Sequence, residues 1–187
     1  MSGGSAAALA VFLVLLAGAA GAVWRRPGRA LPAFVVGLAL HNLVMALLYG
    51  AGVRGSALEA IQAWKEILLG VALAAVAWRA LRARRLPFRP GWVDGLALLF
   101  AVVVALYAVL PQSALGGGAG AKAVLYGLRH DWTPVAAYLL GRSLLPGVRE
   151  LRRLPWLLAG SAAAVAGGGL IDQYAVPIEW WKGSGAV

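Results

Sequence analysis

The sequence contains no cysteine and has few charged residues. Without cysteine the chain can form neither a disulfide nor a thiolate metal site. Its two histidines, His41 and His130, cannot build a zinc site unless carboxylates help. Charged residues make up only 13% of the 187 residues, while apolar residues make up 61% and the mean hydropathy is +0.79. Because soluble domains contain roughly 45–50% apolar residues, this composition argues against a soluble globular domain.

Long apolar runs dominate the chain. Several approach the ~20 residues that an α-helix needs to cross a bilayer, and because they are continuous rather than alternating they do not favour a β-barrel. The sequence therefore predicts an all-α fold, a polytopic membrane bundle of about six transmembrane helices that forms a single domain over residues 1–187. The predicted spans are residues 5–24, 30–49, 58–78, 92–110, a stretch within 121–145, and 154–176.

The basic residues are distributed unevenly between the loops. The loops after the first, third and fifth predicted spans hold most of the 17 lysines and arginines: Arg25, Arg26, Arg29, Arg79, Arg82, Arg84, Arg85, Arg89, Arg142, Arg149, Arg152 and Arg153. The opposite side holds the others: Arg54, Lys65, Lys122, Arg129 and Lys182. Because basic loops stay in the cytoplasm, this split predicts that both termini lie outside. It also explains the net charge of +10 as a topology signal, so we expect membrane lipids and no nucleic acid as partners.

The segment Tyr126-Gly-Leu-Arg-His-Asp-Trp-Thr-Pro134 concentrates polar residues in the fifth predicted span. A charge at the centre of a bilayer costs roughly 2.5–3.5 kcal/mol on insertion scales, so Arg129, His130 and Asp131 must be paired, face a wet cavity or lie at the membrane surface. One interpretation is a belt of side chains that reach the outer surface. The other is a site for an anion or a lipid head group at Arg129 and His130, because an arginine beside a helix N-terminus suits phosphate.

The local geometry depends on whether a helix starts inside this segment. Thr133-Pro134 is typical of an N-cap followed by proline at the first helical position, but it also fits a kink that frees the carbonyl group of His130. In a continuous helix, Lys122 and Arg129 are seven residues apart and share a face, whereas Arg129 and Asp131 do not. Asp131 then needs a different partner.

The third predicted span begins with the polar turn Leu58-Glu-Ala-Ile-Gln-Ala-Trp-Lys-Glu-Ile67. Three of its residues are spaced so that they share one face of a helix: Glu59, Gln62 and Glu66. One interpretation is an interfacial turn, with Trp64 at head-group depth and Lys65 reaching outward. In the other, Glu66 pairs with a cation from another helix, and Arg129 is the candidate.

Other polar positions predict structural roles. His41-Asn42, near the middle of the second span, is expected to form interhelical hydrogen bonds. Asp94 and Asp172 lie near span ends, where helix capping or interfacial placement suffices. The glycine-rich residues 113–120 predict a flexible outer linker. Because no residues have the spacing of a catalytic triad or a metal site, we predict no catalytic residues, no metal site and no cofactor.

Three segments in sequence order carry a family resemblance. Trp64-Lys-Glu-Ile-Leu-Leu69 is followed, after the glycine-rich loop, by Leu128-Arg-His-Asp-Trp-Thr-Pro-Val-Ala-Ala-Tyr-Leu-Leu-Gly-Arg142 and, after a further span, by Glu179-Trp-Trp-Lys-Gly-Ser-Gly185. This order of elements resembles the amino-terminal part of the O-antigen ligase and polysaccharide polymerase family. The resemblance covers the whole chain but only around the first half of a family member, and it rests on the order of elements rather than on a compact motif.

The resemblance implies a multi-pass protein of the bacterial cytoplasmic (inner) membrane that takes part in envelope polysaccharide assembly. Its implied role is the membrane scaffold of a protein that handles polyprenyl-diphosphate-linked glycans, with Arg129 and Lys65 near the anionic head group. The family's reaction depends chiefly on a later outer loop that this sequence lacks. We therefore expect an amino-terminal fragment, or a short relative, that has no glycosyl-transfer activity alone.

A second class of function is also compatible with the sequence. In this alternative the chain is a small polytopic transporter or a membrane interaction subunit, and Glu66 and Arg129 form a buried coupling pair.

Overall fold

The computed structural model describes residues 3–111, 113, 116–118, 120–144 and 148–175, with the side chains of residues 3–5, Glu150, Asp172 and Ala175 left out. This described part is all-helical, as predicted, and contains no strand. The helices are α1 (Gly3–Arg25), α2 (Ala30–Gly50), α3 (Ser56–Gln62), α4 (Trp64–Ala83), α5 (Trp92–Val109), α6 (Ala121–Ser143) and α7 (Val148–Ala175), and a 3-10 turn at Pro27–Arg29 joins α1 to α2. Predicted features at residues 145–147 and 176–187, and at residues 114, 115 and 119 of the glycine-rich linker, lie outside the described residues.

The chain divides into two units, which we describe separately. Unit 1 comprises Met1–Ala72 and Leu145–Val187. In it α2 packs against α7, and α3 packs against both α1 and α2. A small core forms where α3 meets its neighbours: Val53, Ala57 and Ile61 are buried, and Phe12 and Met45 pack against them.

Unit 2 comprises Leu73–Leu144. Its main packing is that of α5 against α6, which buries Ala101, Val135 and Leu140. Asp94, near the start of α5, is also buried, and is the charged residue around which the polar contacts of this unit are arranged.

Several helices are long and apolar enough to cross a membrane. Four of them pass on length and composition: Ala6–Arg25, Pro27–Gly50, Trp92–Val109 and Leu151–Ile171. The pair formed by α3 and α4 adds a fifth if it is counted as one broken span. Their apolar surfaces are open, as lipid-facing helices require: Val14 is 72% exposed and Val109 is 84% exposed. The fifth predicted span corresponds to a real helix, α6, but this helix is not among the apolar candidates.

The third predicted span is not one continuous helix. Ala63 adopts a ψ of 1°, far from the helical value of about −42°, and the axis bends by 40° between α3 and α4. Glu59 and Gln62 therefore belong to α3 while Glu66 belongs to α4. The prediction that these three residues lie on one helix is wrong, because the helix breaks at Ala63 between Gln62 and Glu66.

The segment around Pro134 forms a continuous helix. Helix α6 runs through Pro134, so the prediction that a helix starts there is wrong. A proline inside a helix leaves the carbonyl four residues earlier without its usual amide donor, here the carbonyl of His130. The neighbouring Thr133 hydroxyl turns back and donates to the carbonyl oxygen of Arg129 at 2.6 Å, a side-chain contact that often accompanies helix bending.

Candidate functional site

The predicted site residues fall into two groups. Lys65 and Glu66 lie in the first turn of α4, in unit 1, whereas Arg129, His130 and Asp131 lie in α6, in unit 2. Each group is therefore described within its own unit. The pairing of Glu66 with Arg129 stays a prediction.

The break between α3 and α4 is built around Trp64. The indole Nε1 of Trp64 donates to Nδ1 of His41 at 3.2 Å, which confirms the prediction that His41 forms an interhelical hydrogen bond. The ring of Phe34 packs beside the indole with the ring centroids 6.0 Å apart. The Trp64 ring therefore packs against α2. One interpretation of the sequence had placed this ring at head-group depth.

Gly37 makes this packing possible. A Cβ atom at this position would lie 3.0 Å from Cζ2 and Cζ3 of the Trp64 ring and would clash with Cη2. Real Cβ atoms almost never come so close to a ring, because interiors are already packed at crystal-like density. The glycine thus opens a notch in α2 that receives the indole.

Polar groups converge on this break. Because an indole N–H can only donate, Nδ1 of His41 acts as the acceptor, which places the imidazole proton on Nε2 and leaves the ring neutral. Lys65 and Glu66 both lie within electrostatic range of His41, and the Oε2 atom of Glu66 is buried. The Glu66 carboxylate also lies in the first turn of α4, where the helix dipole favours a negative charge.

The second group forms an exposed basic face on α6. Lys122, Tyr126 and Arg129 follow each other at four- and three-residue steps, so they share one side of the helix. The Lys122 ammonium lies 5.7 Å from the centroid of the Tyr126 ring. All three residues are exposed, and so is the adjacent His130. The predicted common face of Lys122 and Arg129 is confirmed, while Asp131 is exposed on another side of α6.

Asp94 is the centre of a polar cluster that the sequence analysis missed in part. Its Oδ2 accepts from the backbone N–H of Gly91 at 2.6 Å, so the predicted capping role is confirmed. Arg142 of α6 forms a two-pronged salt bridge with both Asp94 oxygens, Nε to Oδ1 and Nη2 to Oδ2, each at 3.0 Å. The Tyr138 hydroxyl donates to Oδ1 at 2.8 Å.

This cluster fastens the α4–α5 connection to α6. Nη2 of Arg142 also donates to the carbonyl of Arg89 at 2.9 Å, and the guanidinium lies 5.1 Å from the Phe88 ring centroid. Both carboxylate oxygens are fully engaged, which is the arrangement of a structural clip rather than of a reactive acid. The sequence contained one local sign of this cluster, because Tyr138 and Arg142 are four residues apart and share one helix face. Their common partner, Asp94, lies 48 residues before Arg142 in the sequence.

A metal-binding cluster is absent from the part of the chain that the structure describes. The charged groups of the two sites are suited to charge recognition: a basic face on α6, and a mixed His, Lys and Glu group at the α3–α4 break. Comparison of the chain with protein-family models, curated proteins and solved structures finds no match.

Proposed function

We propose that this chain is the membrane scaffold part of an O-antigen ligase or polymerase-like protein of the bacterial inner membrane, and that it holds polyprenyl-diphosphate-linked glycans. The observation that supports the proposal is the exposed face of Lys122, Tyr126 and Arg129 on α6, with His130 beside it. This face lies on a long helix that is less apolar than the candidate spans around it. Such a helix suits contact with an anionic head group better than contact with acyl chains.

The chemistry of the face matches a diphosphate. A guanidinium presents several N–H donors in a planar fork that can bind two phosphate oxygens at once, while Lys122 adds a point charge two helical turns away on the same side, about 10 Å along the axis. The Tyr126 hydroxyl and the His130 ring supply further hydrogen-bond donors. A hydrogen bond to a charged group contributes about 1.5–3 kcal/mol, so loss of the Arg129 fork is expected to weaken binding by at least tenfold.

A binding assay tests this assignment. The purified chain in detergent micelles is titrated with polyprenyl diphosphate, and with polyprenol as the ligand that lacks phosphate. Arg129→Ala is expected to weaken diphosphate binding by about tenfold or more, and Arg129→Lys to recover part of it because charge returns without the fork. The matched control is Arg152→Ala, an exposed arginine on α7, which should bind like the wild type. Equal binding of the two lipids, or equal loss in both alanine variants, would refute the assignment.

The proposed topology goes with this role. Six spans with both termini outside would place the Arg129 face toward the outer side and the three arginine-rich segments in the cytoplasm. Lys65 of α4 is the proposed second contact for the head group. Transfer chemistry is assigned to parts of the family outside this chain, so we expect the chain alone to form no glycan product from a lipid-linked donor and an acceptor.

A small transporter is the second candidate, and one observation favours it. Broken membrane helices often line substrate and ion sites in transporters, and the break between α3 and α4 has His41, Lys65 and Glu66 around it. Flux assays in proteoliposomes distinguish the two functions: proton-coupled uptake that Glu66→Gln abolishes would favour the transporter. Retention of polyprenyl diphosphate by that same variant, with no flux in the wild type, would favour the scaffold.

A further inference from the structure

The segment between α4 and α5 carries a dense positive surface that the proposed head-group site does not use. We call residues 84–91 the arginine loop. Together with the end of α4 it presents five exposed arginines: Arg79, Arg82, Arg84, Arg85 and Arg89. All of them belong to unit 2, as do Phe88, Asp94 and Arg142.

The arginine loop is held in place by the Asp94 clip. Arg142 of α6 donates to the carbonyl of Arg89 at 2.9 Å and stacks on the ring of Phe88. At the same time it is anchored by both oxygens of Asp94. The backbone that carries the loop arginines is thus fixed before a ligand arrives, which lowers the entropy cost of binding.

Arg84 occupies a backbone position that favours glycine. Its φ is +49°, and it is the only non-glycine residue with a positive φ in the described part of the chain. The turn closes α4, with the Arg84 amide donating to the carbonyl of Leu81 at 3.2 Å and the Arg85 amide to that of Ala80 at 3.1 Å. Glycine is the usual residue at this position of a helix end, so an arginine there accepts backbone strain.

Carboxylates do not neutralise this surface within unit 2. The described part of the unit contains two of them, Asp94 and Asp131. Arg142 engages Asp94 through both oxygens. Asp131 is eleven residues from Arg142 on the same helix, or about 16 Å along its axis. The described part of unit 2 therefore has an excess of positive charge at the loop, and this charge favours an anionic ligand.

Apolar and aromatic side chains flank the charges. The Arg82 guanidinium lies 4.6 Å from the centroid of the Trp78 ring, and Trp92 and Leu86 are 78% and 70% exposed. Tryptophans at the ends of apolar helices are typical of the layer between head groups and acyl chains. Arginines beside tryptophans in this layer can reach lipid phosphates.

We infer that the arginine loop is a binding site for the phosphodiester head group of an anionic diacyl phospholipid, such as phosphatidylglycerol. Arg84, Arg85 and Arg89 contact the phosphate, and Leu86 with the two flanking tryptophans contacts the upper acyl chains. The site is separate from the α6 face proposed for polyprenyl diphosphate. Its function is to hold the end of the α4–α5 connection at an anionic membrane surface.

Lipid retention in native mass spectrometry tests this inference. The full chain in mild detergent is titrated with phosphatidylglycerol and with the zwitterionic phosphatidylcholine, and phosphatidylglycerol is expected to bind more tightly. Each arginine near an anionic surface contributes about fivefold in affinity, so Arg84, Arg85 and Arg89 changed together to Gln should cost about a hundredfold. Inorganic phosphate should not compete, because it offers no acyl chain to the flanking apolar residues.

The matched control removes three exposed arginines from α7: Arg149, Arg152 and Arg153, each changed to Gln. If the loop is a built site, this control should lose much less affinity for phosphatidylglycerol than the loop variant does. An equal loss in the two triple variants would mean diffuse electrostatic attraction and would overturn the inference, as would equal affinity for the two lipids.

Arg84→Gly separates lipid binding from folding. Glycine suits a φ of +49°, so the unfolding midpoint of this variant should be equal to that of the wild type or higher. Phosphatidylglycerol should nevertheless bind about fivefold more weakly. Unchanged lipid affinity in Arg84→Gly would count against the inference, even if the triple variant fails to fold.

Discussion

Asp94 accepts four hydrogen bonds, from the Gly91 amide, the Tyr138 hydroxyl and two nitrogens of Arg142. A carboxylate that is 4% exposed would be costly to bury without such partners. Here the partners come from α6 and from the connection before α5, while Asp94 itself lies in α5, so one side chain joins three pieces of backbone. The Arg142 side chain is 39% exposed, which leaves part of its charge accessible to water.

The first prediction concerns this carboxylate. Asp94→Ala removes the acceptor of all four bonds, and we expect a loss of about 2 kcal/mol in the free energy of unfolding. The loss should stay well below the cost of leaving a buried charge without a partner, because the Arg142 guanidinium, which loses Asp94 as its partner, can turn toward water. Unfolding in mixed micelles with increasing SDS measures the effect. Asp131→Ala is the control, since Asp131 is exposed, and an equally large loss there would contradict the role given to Asp94.

The sequence predicted the capping contact of Asp94 but not its salt bridge with Arg142. The position of Asp94 near a span end was enough to predict capping, because a cap depends on residues three positions apart. The salt bridge to Arg142 was not predicted, since Arg142 was assigned with its neighbours to a topology cluster. Nothing local in one sequence links residues 48 positions apart, and the link appears only when α5 packs against α6.

At the level of helices, α2 and α4 pack together because a large side chain on α4, Trp64, lies against a glycine on α2, Gly37. The Trp64 indole fills the notch at Gly37 and donates to His41. The same contact is made at the start of α4, directly after the 40° bend. The break in the third predicted span therefore coincides with the packing of Trp64 against α2.

The second prediction tests this fit with a single methyl group. Gly37→Ala places a Cβ atom against the indole ring and should destabilise the fold by about 1–3 kcal/mol. Gly70→Ala in α4 is the matched control, because open space surrounds that position. It should be neutral or stabilising by up to about 1 kcal/mol.

A double variant identifies the cause of the Gly37 effect. If the clash with the indole is responsible, adding Gly37→Ala to Trp64→Ala should cost almost nothing, because the obstructing ring is gone. An undiminished cost in that background, measured by the same SDS unfolding, would show that the ring contact is not the reason.

The helices themselves follow from simple patterns, whereas their irregularities do not. Apolar length alone placed α1, α2 and α5 within two residues of their observed bounds, whereas α7 begins six residues before the predicted span. The bend at Ala63 was not predicted, and the sequence left open whether a helix starts at Pro134 or continues through it, because both features depend on contacts of individual side chains. A packed Trp64 side chain accompanies the first, and the Thr133 hydroxyl bonded to a backbone carbonyl accompanies the second.

For the whole molecule, the basic residues predict an orientation. The lack of cysteine makes the chain convenient for labelling, since each introduced thiol is the only one. The third prediction is that a cysteine at Gly118 reacts with a membrane-impermeant reagent added to intact cells, while one at Arg84 reacts only after the membrane is opened. Both positions are exposed. Labelling of position 84 from outside intact cells would reverse the topology and place the arginine loop on the wrong side for our account.

The central claim is that α6 presents its basic face to a lipid diphosphate, and photo-crosslinking tests it most directly. A polyprenyl diphosphate with a diazirine next to the phosphates is bound to the full chain, irradiated, and the modified peptides are sequenced. We expect crosslinks within Tyr126–Thr133 of α6 that disappear in Arg129→Ala. Unlabelled polyprenyl diphosphate should compete with them, and phosphatidylglycerol should not. Crosslinks confined to other helices, or unchanged in Arg129→Ala, would contradict the claim.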